Sequence, residues 1–432
     1  SARGRSPAAL RRPFSALGRS PLRPSAGIAM AAIDALCMAC NDATCDFKPM
    51  RFQRRPLGPE DVLIDLKFCG VCHSDLHTAA NHMKDIGKGA EYPCVPGHEL
   101  AGICVAVGEK VTKVKVGDQV GVGCLVDSCH DCAACKVGEE QKCAKRVGTY
   151  GGKDTTGRAA SYPPGKMTMG GYASKMVVHE RFAILIPPDY PLTFAGPVLC
   201  AGITMYDPLK RYGATKGTRV GVIGLGGLGV MGIKLAKALG CVVTAISRTK
   251  AKEHLATAAG AVNYVASADP ASMTAGAGSL DLILNTIPAA HDWAAFQVLL
   301  AKGGKHVLLG VHSGLAAAIY AEKIRKLSFT SSTVVMSMIG GITNTQEVID
   351  LCARDGIYPD IEVVPVQKLN EVYTALDASN DAGKRFVLDL EGSLNEETFN
   401  TCDAPPPKLA PNATGMTMPS ILKELAKMVF FY

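Results

Sequence analysis

Apolar residues along this chain fall into two patterns, and the change between them divides it. Up to about residue 200 the apolar runs are short and broken by turn residues. Val62-Leu63-Ile64-Asp65-Leu66 and Gly102-Ile103-Cys104-Val105-Ala106-Val107 read as strands, with Gly108 closing the second and Gly117-Asp118 marking a further turn. From about 201 to 340 the pattern alternates. Arg219-Val220-Gly221-Val222-Ile223 is a buried-strand run that leads through glycines into helix-spaced Val230, Met231, Ile233, Leu235, Ala236 and Leu239. Val242-Val243-Thr244-Ala245-Ile246, Asp281-Leu282-Ile283-Leu284 and His306-Val307-Leu308-Leu309 are later strands. Strands alternating with helices predict a parallel, doubly wound sheet, so the fold class is α/β with a Rossmann-type second domain. Residues 341–390 return to mixed structure. The expected organisation is a leader at 1–29, a catalytic domain at 30–200, a nucleotide domain at 201–340, a return to the first domain at 341–390 and a loose tail at 391–432. The end of that tail, Ile421 to Phe431, reads as a short amphipathic helix.

The 432 residues are 47% hydrophobic and 20% charged, which is globular composition with room for two cores. The net charge of +7 changes meaning once its distribution is seen. Residues 1–29 hold six arginines and no acid or lysine. Removing these from the 46 basic residues leaves 40 against 39 acidic. The body is near neutral, so a nucleic-acid partner is not expected. No apolar run approaches the roughly 18 residues of a membrane helix. The Arg-, Ser- and Pro-rich leader is similar to an organelle transit peptide, whereas Met30 as the true start makes it a translated leader. A cytoplasmic protein is expected, with plastid or mitochondrion as the alternative if the leader is a transit peptide.

Candidate chemistry begins with 16 cysteines. Cys129-x2-Cys132-x2-Cys135-x7-Cys143 has the spacing of a closed, all-thiolate structural zinc site. Cys124, just upstream, is expected to be a bystander. Cys72, His98 and Cys200 come from distant segments, and two sulfurs with one imidazole leave a fourth zinc position open for chemistry. Asp75 is the expected partner fixing the His98 ring. Glu99 is either a carboxylate able to exchange onto the metal or a satisfied buried acid. The remaining ten cysteines, such as Cys69, Cys104, Cys241 and Cys352, read as reduced core residues.

Gly224-Leu225-Gly226-Gly227-Leu228-Gly229 follows a strand and opens a helix, the context a dinucleotide fingerprint requires. An acid at the end of the next strand would select NAD. Here Ser247-Arg248-Thr249-Lys250 stands, followed by Lys252, cations suited to the 2′-phosphate of NADP(H).

GVCHSDLH (70–77), PGHE (96–99), GVGCLVDSC (121–129), GGYASKMVV (170–178), LCAGIT (199–204), GLGGLG (224–229) and RFVLDL (385–390) together resemble the zinc-containing medium-chain alcohol dehydrogenases. Within them the match is to the cinnamyl-alcohol-dehydrogenase-like group of NADP-dependent aldehyde reductases. The resemblance covers about residues 40 to 390. It implies a GroES-like, mainly-β catalytic domain beside the Rossmann domain, two zinc ions per chain, and Cys72, His98 and Cys200 as catalytic ligands with Glu99 beside them. It implies Ser74 and His77 as a proton relay. It also implies Thr204, Thr286, Gly310 and Ser337-Met338-Ile339 as cofactor contacts. A homodimer joined around 305–335 is expected on the same ground. There are departures. Gly148 stands where lignin-type members carry a Trp, the only Trp is Trp293, and Thr78 replaces a polar amide. A broad-range reductase of small-molecule aldehydes is therefore expected. An NAD-linked alcohol or polyol dehydrogenase is the alternative of the same fold, and an inactive nucleotide-binding relative is the alternative of another class.

Overall fold

A computed structural model describes residues 31–82, 84, 89–156, 158, 165–288, 291–310, 333–378, 384–401 and 407–409. The expected leader, the helix at 421–431 and most of the expected 305–335 contact lie outside the described residues. The first sheet takes five strands from before the alternating region: β1 (Asp61–Gly70), β2 (Leu100–Val107), β3 (Gln119–Val122), β4 (Lys175–His179) and β5 (Ile184–Leu185). Six follow in the alternating region: β6 (Arg219–Ile223), β7 (Val242–Ser247), β8 (Asn263–Ala266), β9 (Leu280–Asn285), β10 (Leu300–Leu308) and β11 (Val334–Met336). β12 (Ile361–Pro365) and β13 (Arg385–Asp389) close the series. The helices that matter here are α1 (His73–Ala79), α2 (Ile203–Arg211), α3 (Gly227–Ala238), α4 (Ile342–Asp355), α5 (Leu369–Ala378) and α6 (Glu396–Thr401).

The first sheet has the order β12-β13-β1-β2-β3-β5, with β4 also on β1. Its alternating burial follows the pleat, as Val62, Ile64 and Leu66 turn into a core shared with Phe47, Tyr172 and Tyr373. β13 returns after the whole second sheet to pair antiparallel with β1, Val387 opposite Gly70. This late strand carries Arg385 to the first sheet.

The second sheet is parallel throughout, in the order β8-β7-β6-β9-β10-β11. Its central strands are buried on both faces, as continuous apolar runs require. Strand order reverses beside β6, which opens a crevice at the carboxyl ends of β6 and β9. Gly224 leaves β6 with φ +90°, a conformation glycine adopts without strain. A Cβ on Gly229 would stand 1.8 Å from the carbonyl oxygen of Gly224, so only glycine lets α3 start this close.

Three expectations shift. β7 runs one residue further, to Ser247, because Ser247 still pairs with Ala266. β10 begins at Leu300, six residues earlier than the apolar pattern indicated. The polar Lys302-Gly303-Gly304-Lys305 stretch is absorbed as an irregularity in register, with Gly303 at φ +84°. The tail is not loose where it is described. Leu394 is buried, Glu396 pairs with Arg51, Phe399 lies under that guanidinium at 4.6 Å, and Leu409 packs against the first core. The Pro-rich stretch dominates the composition there, and a few anchoring apolar residues decide the packing.

His306 on β10 is fully buried, beside the Asn285 amide at 3.2 Å. Burial, with a smaller push from His291, lowers its pKa from 6.5 to about 4. The unfolded chain therefore takes up a proton below about pH 6.5 that the folded chain refuses until about 4, and stability falls as pH falls through that window. The shift corresponds to about 3 kcal/mol. His306→Phe should lose about that much less stability than wild type between pH 7 and 4, measured by urea unfolding at each pH. Parallel pH curves for the two proteins would contradict this.

Candidate active site and metal centres

Cys72 is the N-cap of α1, and its backbone N–H donates to Asp75 Oδ2 at 2.8 Å. Asp75 has no exposed surface. The same carboxylate accepts from the Tyr172 hydroxyl at 2.9 Å and from the Gly97 N–H at 3.3 Å, and it faces His98 Nδ1 at 3.0 Å. With Nδ1–H given to the carboxylate, His98 Nε2 keeps its lone pair. Nε2 lies 3.1 Å from Cys200 Sγ, which is 4.0 Å from Cys72 Sγ. Cys200 sits in a single π-type turn, Val198–Gly202, that runs into α2. Such turns are rare and often mark functional sites. The donor atoms of Cys72, His98, Glu99 and Cys200 all lie within 4.8 Å of one another.

Glu99 is fully buried. Its Oε1 accepts from Arg385 Nη1 at 2.5 Å and stands 3.9 Å from His98 Nε2, while its Oε2 has no hydrogen-bond partner. Burial pushes its pKa up to about 7, against the pull of Arg385. Both readings of Glu99 are thus half met: one oxygen is satisfied, and the orphaned one is what a neighbouring cation would complete. Two sulfurs, an imidazole lone pair and an unpaired carboxylate oxygen suit zinc.

Cys129, Cys132, Cys135 and Cys143 form the other group within 4.8 Å. The Cys129–Cys135 and Cys132–Cys135 sulfur separations are 3.8 and 3.6 Å. Sulfurs about 2.3 Å from a zinc would stand about 3.8 Å apart, whereas a disulfide needs about 2.05 Å. Backbone N–H groups of Cys132 and Asp131 hold the Cys129 thiol down at about 6, ready as thiolate. The donor set therefore fits a closed zinc site.

The expected nucleotide residues gather along one edge, each at or just past the carboxyl end of a parallel strand. Gly224 follows β6, Ser247 ends β7 and Arg248 follows it, Thr286 follows β9, Gly310 follows β10 and Ser337 follows β11. The Thr286 hydroxyl donates to Ile223 O at 2.8 Å, and Ser337 N–H donates to Leu308 O at 3.1 Å. Leu225 is buried under the turn, Leu228 is partly buried in the second core, and a Cβ on Gly226 would meet nothing within 4 Å. Gly227 begins α3. Arg248 is exposed, and its loop is shaped by Ala268 N–H donating to Arg248 O and Tyr264 O–H donating to Thr249 O. Lys252 is half-buried and Met338 is exposed. Thr204 is buried on α2, one turn beyond Cys200, and Ile339 lines a small cavity with Cys124 and Leu199. The nucleotide edge and the mixed-ligand group therefore adjoin.

The chain matches the model of the alcohol dehydrogenase GroES-like domain over residues 58–188 and that of the zinc-binding dehydrogenases over 227–354. It is 43% identical to aldehyde reductase YahK of Escherichia coli over 79% of this chain and 94% of that protein. It is also 43% identical to NADP-dependent alcohol dehydrogenase C 1 of Mycolicibacterium smegmatis, over 81% and 96%. The chain belongs to the zinc-binding alcohol dehydrogenases. Its structure superposes on a cinnamyl alcohol dehydrogenase of Sorghum bicolor with a TM-score of 0.73, at 38% identity, covering 83% of this chain and 98% of that one.

Two residues of this dehydrogenase's site escaped sequence reasoning. Arg385 lay inside the quoted RFVLDL run but showed no sign that it pairs with Glu99. Cys124 stands apart from the four-cysteine group as expected, yet it lies beside the other centre, its thiol donating to the carbonyl of Leu199, the neighbour of Cys200, at 4.0 Å. No spacing encodes that contact. Ser74 donates to Cys72 Sγ at 3.0 Å, and His77 is turned to His82.

Wild-type dehydrogenase should carry two zinc ions per chain by metal analysis. Cys72→Ser should lose aldehyde reduction while keeping its unfolding midpoint. Cys132→Ser should chiefly lower stability and yield, because a structural zinc contributes folding free energy. One zinc or none in fully active protein would contradict the assignment.

Proposed function

We propose that this enzyme reduces aldehydes to primary alcohols with NADPH, over a broad range of aromatic and aliphatic substrates, and runs the reverse oxidation. The observation that carries the proposal is the convergence of Cys72, His98 and Cys200 beside the carboxyl edge of the parallel sheet. The names of the relatives, an aldehyde reductase and an NADP-dependent alcohol dehydrogenase, support it. When bound, zinc supplies a Lewis acid for the carbonyl oxygen and NADPH supplies the hydride. Cys72, His98 and Cys200 would hold that zinc with Glu99 beside it, and Cys129, Cys132, Cys135 and Cys143 would hold the second. Asp75 holds His98 in the tautomer that leaves Nε2 free. The Gly224–Gly229 turn and the start of α3 cradle the pyrophosphate, where backbone N–H groups favour negative charge. Ser74 Oγ gives a proton to the oxygen of the reduced carbonyl and is resupplied through His77. Gly148, in place of a bulky Trp, leaves the substrate side open to varied aldehydes.

A reducing compartment such as the cytoplasm suits a chain whose cysteines, among the described residues, are all free thiols. No helix among those residues is long and apolar enough to cross a membrane. The enzyme works as a homodimer in this proposal. β11 ends the order of the parallel sheet and Met336 on it is 46% exposed, and two-fold dimers are the commonest assemblies. Sedimentation at low micromolar concentration should give twice the chain mass, and monomer mass alone would refute it.

Cofactor choice follows from the loop after β7. A guanidinium at Arg248 can take a 2′-phosphate with two hydrogen bonds, and Lys252 adds charge. Losing one such contact costs about 1.5–3 kcal/mol, roughly ten- to a hundredfold in affinity. Arg248→Asp should therefore raise KM for NADPH strongly and leave NADH use unchanged or improved. Equal kcat/KM for the two nicotinamides in wild type would contradict the proposal.

A further inference from the structure

Between Cys135 and Cys143 the four-cysteine loop carries Glu140, which is buried. Its Oε1 accepts from Arg181 Nε at 3.0 Å and Nη2 at 2.8 Å, and the same guanidinium donates to the Cys135 carbonyl. Arg181 thus ties the carboxylate to the backbone of a thiolate residue. Oε2 accepts from the Ile342 N–H at 2.9 Å. Ile342 opens α4, and first-turn N–H groups have no acceptor inside a helix. The N-cap is Gly341, which has no side chain to offer, so the four-cysteine loop caps α4 from outside.

Only Gly340 and Gly341 separate Ile342 from the Ser337-Met338-Ile339 run. Both glycines are gripped. A Cβ on Gly341 would stand 1.8 Å from the Gly138 carbonyl oxygen in the loop, and a Cβ on Gly340 would stand 2.5 Å from the Ile203 side chain on α2. Asp207 of α2 accepts from Asn344 Nδ2 at 2.9 Å and from Arg211 Nη2 at 3.0 Å, and Arg211 Nη1 lies 3.0 Å from Glu139 of the loop. At the other end of the run, Ser337 N–H donates to Leu308 O. The parallel sheet therefore holds one end, and the four-cysteine loop with α2 holds the other.

We propose that Glu140 sets the affinity for NADPH by anchoring the start of α4 and with it the Ser337–Ile339 run, so that the four-cysteine loop acts on cofactor binding as well as on stability. The inference rests on the reading of Ser337–Ile339 as cofactor contacts. Glu140 lies on the loop, apart from the reacting atoms, and is a positioning residue. Backbone that is fixed before the cofactor arrives loses little freedom on binding, whereas a loosened run must be ordered at that moment. The effect therefore falls on affinity and spares the chemical step at the mixed-ligand centre.

The test uses full-length, zinc-loaded enzyme and reads Kd for NADPH from nicotinamide fluorescence, with zinc content measured on every variant. Glu140→Ala should raise Kd roughly five- to fiftyfold, within the range of coupling between sites. kcat for benzaldehyde at saturating NADPH should not fall. Glu140→Gln keeps a neutral acceptor for the Ile342 N–H and should stay within about threefold of wild type. Ile342→Pro breaks the same bond from the other side and leaves every residue of the loop intact, since proline is tolerated at the first helical position and lacks the N–H. It should raise Kd as Glu140→Ala does, and it decides the matter if Glu140→Ala loses zinc or fails to fold. Ile342→Val, which keeps the N–H and trims the side chain, should bind normally. The double variant should be no weaker than the weaker single one, because both changes remove one bond. An unchanged Kd in Ile342→Pro, an equal loss in Ile342→Val, or additive losses in the double variant would overturn the proposal. Met338→Glu, which sets a negative charge in the contact run, separates the two readings. Weak NADPH binding there, with normal binding in Glu140→Ala and Ile342→Pro, would overturn the anchor and leave the cofactor reading standing. A normal Kd in Met338→Glu would remove the cofactor reading of the run, and the proposal with it.

Discussion

The catalytic half of the molecule depends on one buried carboxylate. Asp75 ties together the backbone of Cys72, the Gly97 turn that presents His98, the His98 ring and the Tyr172 hydroxyl. A fully buried carboxylate is costly unless each oxygen is satisfied. Here that requirement is met only when the Cys72 and His98 segments, distant in sequence, stand in one arrangement. The same hydrogen bonds that make burial tolerable therefore set the placement of Cys72 and the orientation of the His98 ring. Asp75 is thus both a folding constraint and a determinant of the chemistry.

A second buried charge pair joins the ends of the chain's path. Glu99 follows His98, whereas Arg385 arrives on β13 after the whole nucleotide sheet has been built. A buried ion pair of this kind adds little net stability, but removing one partner leaves an uncompensated charge. Its consequence is specificity, because the site is complete only when the last strand has joined the first sheet. Helix α4 packs between the two cores, with Val348 and Ile349 in one cluster with Ile184 and Val220. The two halves are therefore linked by a shared core as well as by the chain.

Much of the fold was legible before any coordinates. Strand β6, the glycine turn and α3 follow from an apolar run, three glycines and helical spacing, all local features. The four-cysteine group was legible for the same reason, since its ligands span fifteen residues and spacing alone brings them together. β10 was misjudged at its start because the sheet tolerates Gly303 and Lys305 in an irregular register that no local pattern announces. The first residues of the tail were misjudged because composition weighs every residue equally, while packing depends on a few, such as Leu394 and Phe399.

By itself the sequence determined the four-cysteine cluster, the doubly wound half and the absence of an acid after β7, because each is written within a short stretch of chain. The mixed-ligand centre was readable only as residue types in a certain order. Tertiary structure decided what those residues do to one another: Asp75 orienting His98, Arg385 holding Glu99, Cys124 reaching the backbone beside Cys200 and His82 meeting His77. These contacts depend on directions of side chains brought together by strand pairing and chain reversal. A one-dimensional pattern records which groups are present, and only the folded backbone sets their distances and therefore their protonation and their chemistry.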